Sequence, residues 1–151
     1  MVITPDKFHL SKSLRKVIQS SKFEVCVDIT FKNVIVQCQK IARHGQSGSW
    51  INDDMIEAYC KLHESGHAHS YEAFENGELV GGLYGVALGG IFFGESMFSL
   101  VNNASKVAFD YLLQQSSYQL IDCQVENKHL KSLGAFKMPR DLFIQQLKAF
   151  V

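Results

Sequence analysis

Several features that mark particular classes of protein are missing from this chain of 151 residues. Its formal net charge is zero, so it lacks the basic excess of a protein that binds nucleic acid over its whole surface, although a local basic patch is still compatible with it. The longest apolar run, Leu79–Phe93, is interrupted by glycines and is too polar to span a membrane. Only two prolines occur, Pro5 and Pro139, both near the ends. The middle is therefore predicted to be continuous regular structure.

The cysteines lack the CxxC spacing of redox and zinc motifs, and no signal-peptide pattern precedes them. The four positions are Cys26, Cys38, Cys60 and Cys123. Disulfides belong to oxidising compartments, so we expect reduced thiols and a cytoplasmic location.

Three histidines form the pattern HxxxHxH at His63, His67 and His69. A spacing of four on a helix can bind zinc, but Gly66 interrupts the predicted helix between the first two. We therefore expect these side chains to make local hydrogen bonds, and we expect no metal site.

Hydrophobic periodicity predicts an alternation of helices with strands. Polar residues that commonly cap helices stand before each of five predicted helices. In chain order they are Ser11, Asp28 or Thr30, Asn52 or Asp53, Asn102 or Asn103, and Asn127. The first half of the chain is predicted to form a helix to Ser20, strand Phe23–Thr30, helix Phe31–Ala42, loop Arg43–Ser49 and a helix to Glu64. Three strands follow, His69–Glu75, Leu79–Leu88 and Ile91–Ser99. The remaining predicted elements are helix Ala104–Gln115, strand Leu120–Val125, a short helix ending at Gly134, and a helix from Pro139 to Phe150. The loop is interpreted as a connector, and the alternative is an anion contact.

Short turns define how the predicted strands connect. Asn76-Gly77 is typical of a two-residue hairpin turn, and Gly89-Gly90 marks a second one, so the central strands form an antiparallel meander. The crossover from Ile91 through a helix to Val125 places those two strands parallel. The predicted fold class is α+β, a mixed and mostly antiparallel sheet with helices on both faces, with residues 1–151 as a single domain.

Polar side chains interrupt two of the predicted strands at Glu95, Asp122 and Gln124. Asp122 and Gln124 are two residues apart, which predicts that both point to one face of their strand, while Cys123 points to the other. Two interpretations stay open from the pattern alone: a ligand-binding cleft between the strands, or a buried hydrogen-bond network. A nucleophilic role for Cys123 is disfavoured because its side chain faces away from the two polar residues.

Two further groups of residues have possible binding roles. Leu83, Phe92 and Met97 supply large apolar side chains near Glu95, and part of this set can line a pocket. The basic residues Lys12, Arg15, Lys16 and Lys106 form either a solvated surface or phosphate contacts. The sequence has no glycine-rich phosphate loop.

Several stretches taken together resemble the bacterial leucyl/phenylalanyl-tRNA–protein transferase family. The most specific are HESGHAHSYE, GESMFS and LIDCQ, and all occur in the family's order over about two thirds of the chain. The matching segments are Trp50-Ile51, Glu57–Glu72, Glu78–Gly89, Phe92–Ser99, Asn103–Lys106, Leu120–Asn127 and Ser132–Arg140.

The resemblance implies an acetyltransferase-like (GNAT-like) fold and an aminoacyltransferase activity. Such an enzyme moves Leu, Phe or Met from aminoacyl-tRNA to a protein or peptide with N-terminal Arg or Lys, which tags the acceptor for degradation by the N-degron pathway. It implies no metal, no nucleotide cofactor and no membrane partner. The missing phosphate loop agrees with a fold that works without acetyl-CoA.

The resemblance also assigns roles to individual residues. Asp122 and Gln124 match the family's proposed catalytic pair, and Glu95 matches its cleft glutamate. The residues expected to bind the donor amino acid and the terminal adenosine are Trp50, Tyr59, Leu83, Phe92, Met97 and Leu112. Leu83 and Leu112 stand where a Met and a Phe are expected, which implies an altered pocket shape.

One difference from the family concerns its N-terminal segment, which carries GIFPW-like and WWSPDPR-like stretches that this sequence does not contain. The catalytic domain is therefore expected to be present without part of the usual tRNA-side surface. This difference favours one alternative, a non-catalytic or altered module that binds basic N-termini. A second alternative is a CoA-dependent N-acyltransferase on the same fold, and the missing phosphate loop argues against it.

Overall fold

The computed structural model describes residues 1–41 and 50–151. The predicted loop Arg43–Ser49 and the predicted helix end at Ala42 lie outside the described residues. The strands are β1 (Val2–Ile3), β2 (Glu24–Val27), β3 (Ala68–Glu75), β4 (Glu78–Leu88), β5 (Ile91–Ser99) and β6 (Leu120–Asp122). The helices are α1 (Lys12–Gln19), α2 (Phe31–Lys40), α3 (Asp53–Glu64), α4 (Ala104–Gln115), α5 (Lys128–Ser132) and α6 (Arg140–Phe150), with a 3-10 turn at Pro5–Lys7.

One six-stranded sheet has the order β1-β6-β5-β4-β3-β2. Strands β5 and β6 are parallel, and the other neighbouring pairs are antiparallel. The structure thus confirms the α+β class, the central meander and the parallel crossover. Strand β1 was not predicted, because two residues are too few to show a period-2 pattern. Val2 and Ile3 pair with Asp122 and Ile121.

Side-chain caps begin several helices where the sequence predicted them. Ser11 Oγ accepts a hydrogen bond from the Leu14 amide at 3.1 Å, and Asn52 Oδ1 accepts one from Met55 at 2.9 Å. Asn127 caps α5 in the same way. Asn103 occupies the position before α4, but its side chain makes no cap bond there.

Helices cover both faces of the sheet, as predicted, and they bury a separate apolar cluster on each face. The cluster under α1 and α4 includes Leu14, Tyr71, Leu83, Phe92, Phe109 and Leu112. The cluster under α2 and α3 includes Val34, Ile35, Ile56, Tyr84 and Phe98. Among the described residues, no helix is long and apolar enough to cross a membrane.

A buried carboxylate from the sheet caps α2, and neither predicted cap residue does so. Glu72 on β3 is fully buried and accepts hydrogen bonds from the amides of Ile29 (3.1 Å) and Thr30 (2.9 Å) and from Ser70 Oγ (2.7 Å). Thr30 makes no side-chain cap bond. Asp28 turns back to the sheet, where it accepts from the Ser70 amide at 2.8 Å, and β2 therefore ends before the predicted Thr30.

Two of the three histidines, His63 and His69, make the side-chain hydrogen bonds that were expected of them. His69 Nδ1 lies 2.7 Å from Asp28 Oδ2, and His63 Nδ1 lies 2.8 Å from the Ala68 carbonyl oxygen. The His63 ring also stacks on Phe31 with ring centroids 4.2 Å apart. Within residues 1–41 and 50–151, no group of three or more His, Cys, Asp or Glu side chains is arranged to hold a metal ion.

Candidate active site

The parallel strands β5 and β6 separate partway along their length and leave an opening between them. They pair only from Ile91–Leu120 to Phe93–Asp122, whereas β5 stays paired with β4 as far as Ser99. Beyond Phe93 the β5 edge therefore faces a gap. In an open sheet, such a gap beyond the carboxyl end of a parallel strand is a common position for ligands.

A β-bulge aims Glu95 into this gap. Ser96 pairs with Tyr84 and Gly94 pairs with Gly85, so Glu95 has no counterpart on β4. A bulge of this kind changes the direction of a side chain, and bulges are frequent beside active sites. Glu95 Oε2 accepts a hydrogen bond from Gln124 Nε2 at 3.1 Å, across the gap from the β6 side.

Gln124 reaches the same gap by a route that differs from the prediction. Strand β6 ends at Asp122, so the predicted strand to Val125, with both polar side chains on one face, is wrong. Asp122 Oδ1 accepts the Gln124 amide at 2.8 Å, and Gln124 adopts a left-handed backbone with φ of 57°. This Asp-stabilised turn directs the Gln124 side chain toward Glu95.

The opening leads into a cavity of about 420 Å³ with polar groups at one side and an apolar wall. Of the predicted site residues, the cavity contains Asp122, Gln124, Glu95, Leu83, Phe92 and Met97. Sequence reasoning missed Phe109, Ile121 and Leu130, which also line it. Helical periodicity identified the buried side of α4, but it carries no information on which buried residue borders a cavity.

Tyr59 on α3 interacts with Glu95 from outside the cavity. Burial, followed by the charge of Glu95 and a hydrogen bond to it, raises the pKa of the Tyr59 hydroxyl to about 12. Its ring packs edge-on against Tyr84 with centroids 5.2 Å apart. Tyr59 is therefore a neutral hydrogen-bond donor at physiological pH, and it lies close to the Glu95 carboxylate that Gln124 also contacts.

Replacing Tyr59 with Phe tests this orienting contact. The ring packing is kept, so we expect the free energy of unfolding to change by about 1 kcal/mol or less. We expect the turnover of the site to fall about tenfold, because Glu95 loses one of its donors. Steady-state kinetics and urea unfolding measure both quantities. An unchanged turnover would show that Gln124 alone suffices to place Glu95.

The structure places Leu112 and Trp50 apart from the cavity lining. Leu112 is fully buried in the core beneath α4. Trp50 is 43% exposed at the first described position before α3. Neither is among the residues that line the cavity, so the structure does not bring these two together with the other predicted binding residues.

Cys123 is one of the residues that line the cavity, but it is unsuited to act as a nucleophile. Burial and the neighbouring Asp122 charge raise the pKa of its thiol to about 12, so the thiolate form is scarce at neutral pH. We expect Cys123→Ala to retain activity within about threefold.

The same shift predicts how stability depends on alkaline pH. Because the folded thiol keeps its proton above its ordinary pKa of 9.0, unfolding between that pH and about 12 releases a proton. The free energy of unfolding should therefore fall with rising pH in this range. The slope should be smaller in Cys123→Ala, as urea unfolding at several pH values would show. Equal slopes would contradict the shift.

The third carboxylate at the cavity, Glu126, is already paired. Its carboxylate contacts the ammonium groups of Lys131 and Lys137, and these hydrogen bonds lower its pKa to about 2. By contrast, Glu95 accepts a hydrogen bond from the uncharged Gln124 side chain, and Asp122 accepts one from the Gln124 backbone amide. Glu95 and Asp122 are therefore the carboxylates of the lining that could accept a cationic group of a ligand.

The predicted basic residues lie on two helices. Lys12, Arg15 and Lys16 are exposed on α1, and Lys106 lies on α4. Burial, followed by the charge of Lys106, lowers the pKa of His129 on α5. The exposure of the α1 residues agrees with a solvated surface and keeps them accessible to a phosphate.

A family model and individual relatives in other organisms identify the same family. The sequence model of the family described as "Leucyl/phenylalanyl-tRNA protein transferase" matches residues 2–148. Relatives carrying that name include one from Myxococcus xanthus, 51% identical over 149 residues that cover 97% of this chain and 64% of the relative. Another, from Flavobacterium johnsoniae, is 50% identical over 152 residues, with 99% and 72% covered. The chain thus spans about two thirds of the length of the curated relatives it matches.

Similarity to solved structures supports the fold. The structure of L-PGS from Bacillus licheniformis aligns with a TM-score of 0.51 at 15% identity, covering 97% of this chain and 56% of that one. A functionally unknown conserved protein from Staphylococcus epidermidis aligns with a TM-score of 0.50 at 11% identity, covering 87% and 53%. At such identities the match concerns the fold alone.

Proposed function

The chain belongs to the leucyl/phenylalanyl-tRNA protein transferase family, and from that membership we propose that it is an aminoacyltransferase acting on protein N-termini. The donor is an aminoacyl-tRNA that carries Leu, Phe or Met. The acceptor is a protein or peptide with N-terminal Arg or Lys, and the product is tagged for N-degron degradation in the cytoplasm. All four cysteines are free, which supports a reducing location.

The observation that carries this proposal is the pairing of Glu95 with Gln124 above an apolar cavity, beside the Asp122 turn. Aminoacyl transfer needs little chemical activation, because the donor ester is already reactive. The acceptor α-amine attacks the ester carbonyl, a C–N bond forms and the C–O bond to the ribose breaks. One proton of the amine ends on the ribose oxygen, which leaves as a hydroxyl. The protein must mainly hold the two substrates in contact, and proximity can supply most of the acceleration.

The polar side chains have complementary roles in that step. An amide is too weak a base to remove a proton, but an α-amine has a pKa of about 7.7–8.0 and is partly neutral near pH 7. The Gln124 Nε2 group is engaged by Glu95, so its carbonyl oxygen is the atom that can accept an N–H of the attacking amine. Asp122 holds the Gln124 backbone and attracts the acceptor's cation.

Glu95 acts on the donor side of the cleft in this proposal. Its carboxylate, oriented by Tyr59 and Gln124, binds the donor's ammonium or a ribose hydroxyl. The apolar wall of Leu83, Phe92 and Met97 receives the donor side chain. A pocket of this type discriminates by shape, with one methylene worth about 1–3 kcal/mol, so unbranched and γ-branched side chains fit better than β-branched ones.

Phosphate contacts would hold the body of the tRNA. Lys12, Arg15, Lys16 and Lys106 are the candidate residues, and Trp50 and Leu112 remain proposed contacts of the donor end. Contacts of this kind position a nucleic acid without reading its bases. Binding should therefore weaken steeply with salt and should depend little on the tRNA sequence.

The direct test is transfer of radiolabelled Leu or Phe from charged tRNA to a peptide that begins with Arg. We expect labelled product with this peptide and none with an otherwise identical peptide beginning with Glu. No transfer, with binding of the Arg peptide intact, would favour a non-catalytic module for basic N-termini. A rise in melting temperature with acetyl-CoA, together with peptide acetylation, would favour an N-acyltransferase.

A further inference from the structure

We propose that Phe8, which lies outside the cavity, is a positioning residue that determines donor selectivity through Phe109. This inference rests on the proposed function, because it concerns the pocket that would receive the donor side chain. It concerns neither the carboxylates nor the amide of the cleft. It assigns a part of the selectivity to the segment between β1 and α1.

Phe109 is the aromatic residue that α4 contributes to the cavity wall. Its side chain is 3% exposed and lines the cavity together with Phe92 and Leu130. Leu112, one helical turn later, is buried in the core and is not among the lining residues. The position of the Phe109 ring therefore limits how far a bound side chain extends toward α4.

Phe8 packs directly against Phe109. The two rings meet edge to face, with centroids 6.1 Å apart and an interplanar angle of 68°. Aromatic pairs prefer this arrangement, and it restricts the rotation of both rings. Phe8 is partly buried against the core cluster of α4 but does not line the cavity. It can influence a bound side chain only by holding the Phe109 ring in place.

Backbone contacts on both sides of Phe8 fix its own position. The His9 amide donates to the Leu133 carbonyl at 2.8 Å. On the other side, Gly134 has φ of 103°, and a Cβ there would lie 2.0 Å from the Lys7 carbonyl oxygen. Only glycine permits so close an approach. The segment Lys7–His9 is thus held against the turn that follows α5, the helix that carries the cavity residue Leu130.

Phe8 therefore supports the Phe109 ring from outside the cavity, and the turn after α5 holds the segment that carries Phe8. Shortening Phe8 leaves space behind the Phe109 ring, and the ring can move away from the cavity. A deeper cavity favours the longer phenylalanyl donor over the leucyl donor. A residue with a purely structural role would instead lower transfer from both donors by the same factor.

The experiment measures kcat/KM for phenylalanyl-tRNA and for leucyl-tRNA with the Arg-starting peptide, in the full chain and its variants. We expect Phe8→Leu to raise the Phe/Leu ratio about three- to tenfold, and Phe109→Leu to raise it at least as much. We expect Phe8→Tyr, which keeps the ring, to retain the parent ratio. A Phe8→Leu variant that loses activity equally with both donors would overturn the inference.

A matched control comes from a second edge-to-face pair. Phe143 on α6 meets Phe93 with centroids 6.5 Å apart and an angle of 86°, and neither residue lines the cavity. We expect Phe143→Leu to lower the melting temperature about as much as Phe8→Leu while leaving the Phe/Leu ratio unchanged. An equal change of ratio in this control would also overturn the inference. A parent chain that transfers neither amino acid would instead refute the proposed function itself.

Discussion

Replacing Asp122 with Asn is expected to lower the rate of aminoacyl transfer about 100-fold. The Asn side-chain oxygen can still accept the Gln124 amide, which Asp122 Oδ1 now accepts at 2.8 Å, so the turn that presents Gln124 should persist. What is lost is the negative charge that attracts the acceptor's cation. Stability should therefore change little, with a shift in melting temperature of about 3 °C or less.

Single-turnover transfer from charged tRNA to the Arg-starting peptide, beside a thermal melt, checks both parts of this expectation. Asp141→Asn is a suitable control, because Asp141 is an exposed carboxylate in the first turn of α6, away from the cavity. The control should transfer at the parent rate. Equal rates for Asp122→Asn and the parent would contradict the role of Asp122, and a large loss of stability would show that its charge serves the fold.

Replacing Glu72 with Ala is expected to lower the free energy of unfolding by about 3–5 kcal/mol. The carboxylate is fully buried and accepts hydrogen bonds from Ile29, Thr30 and Ser70. Removing it leaves two backbone amides immediately before α2, and the Ser70 hydroxyl, without their acceptor. Burying a polar group without a hydrogen bond is costly, and this one acceptor binds three donors.

Urea denaturation measures this loss, and the same strand offers the control. Glu75 forms an ion pair with Lys22 at 3.6 Å, and both side chains are partly exposed. Glu75→Ala should cost about 1 kcal/mol or less, because solvent screens such pairs. Similar costs for the two substitutions would mean that the Glu72 contacts contribute no more than a surface ion pair.

The elements that were predicted well depend on neighbours in sequence. Ser11 and Asn52 cap helices through bonds to residues three positions later. The Asn76-Gly77 turn has positive φ at both residues, 52° and 80°, as a two-residue hairpin turn requires. Because these features need only local geometry, composition and spacing were enough to locate them.

The elements that were missed depend on contacts between distant parts of the chain. The cap of α2 comes from Glu72, more than 40 residues away from Ile29 and Thr30. Strand β1 is too short to carry a pattern and exists because β6 pairs with it. No local rule in the sequence predicts the Glu72 contacts or strand β1, because the partners come together only when the sheet forms.

The sequence by itself determined the order of the elements, the class of the fold, and three polar residues of the site, Glu95, Asp122 and Gln124. Only the tertiary structure decided how those residues meet. The bulge at Glu95 and the left-handed turn at Gln124 bring their side chains within 3.1 Å. A regular strand points its side chains alternately to its two faces, so the sequence period predicts neither feature. Pairing with β4 produces the bulge at Glu95, and the Asp122 side chain stabilises the turn at Gln124.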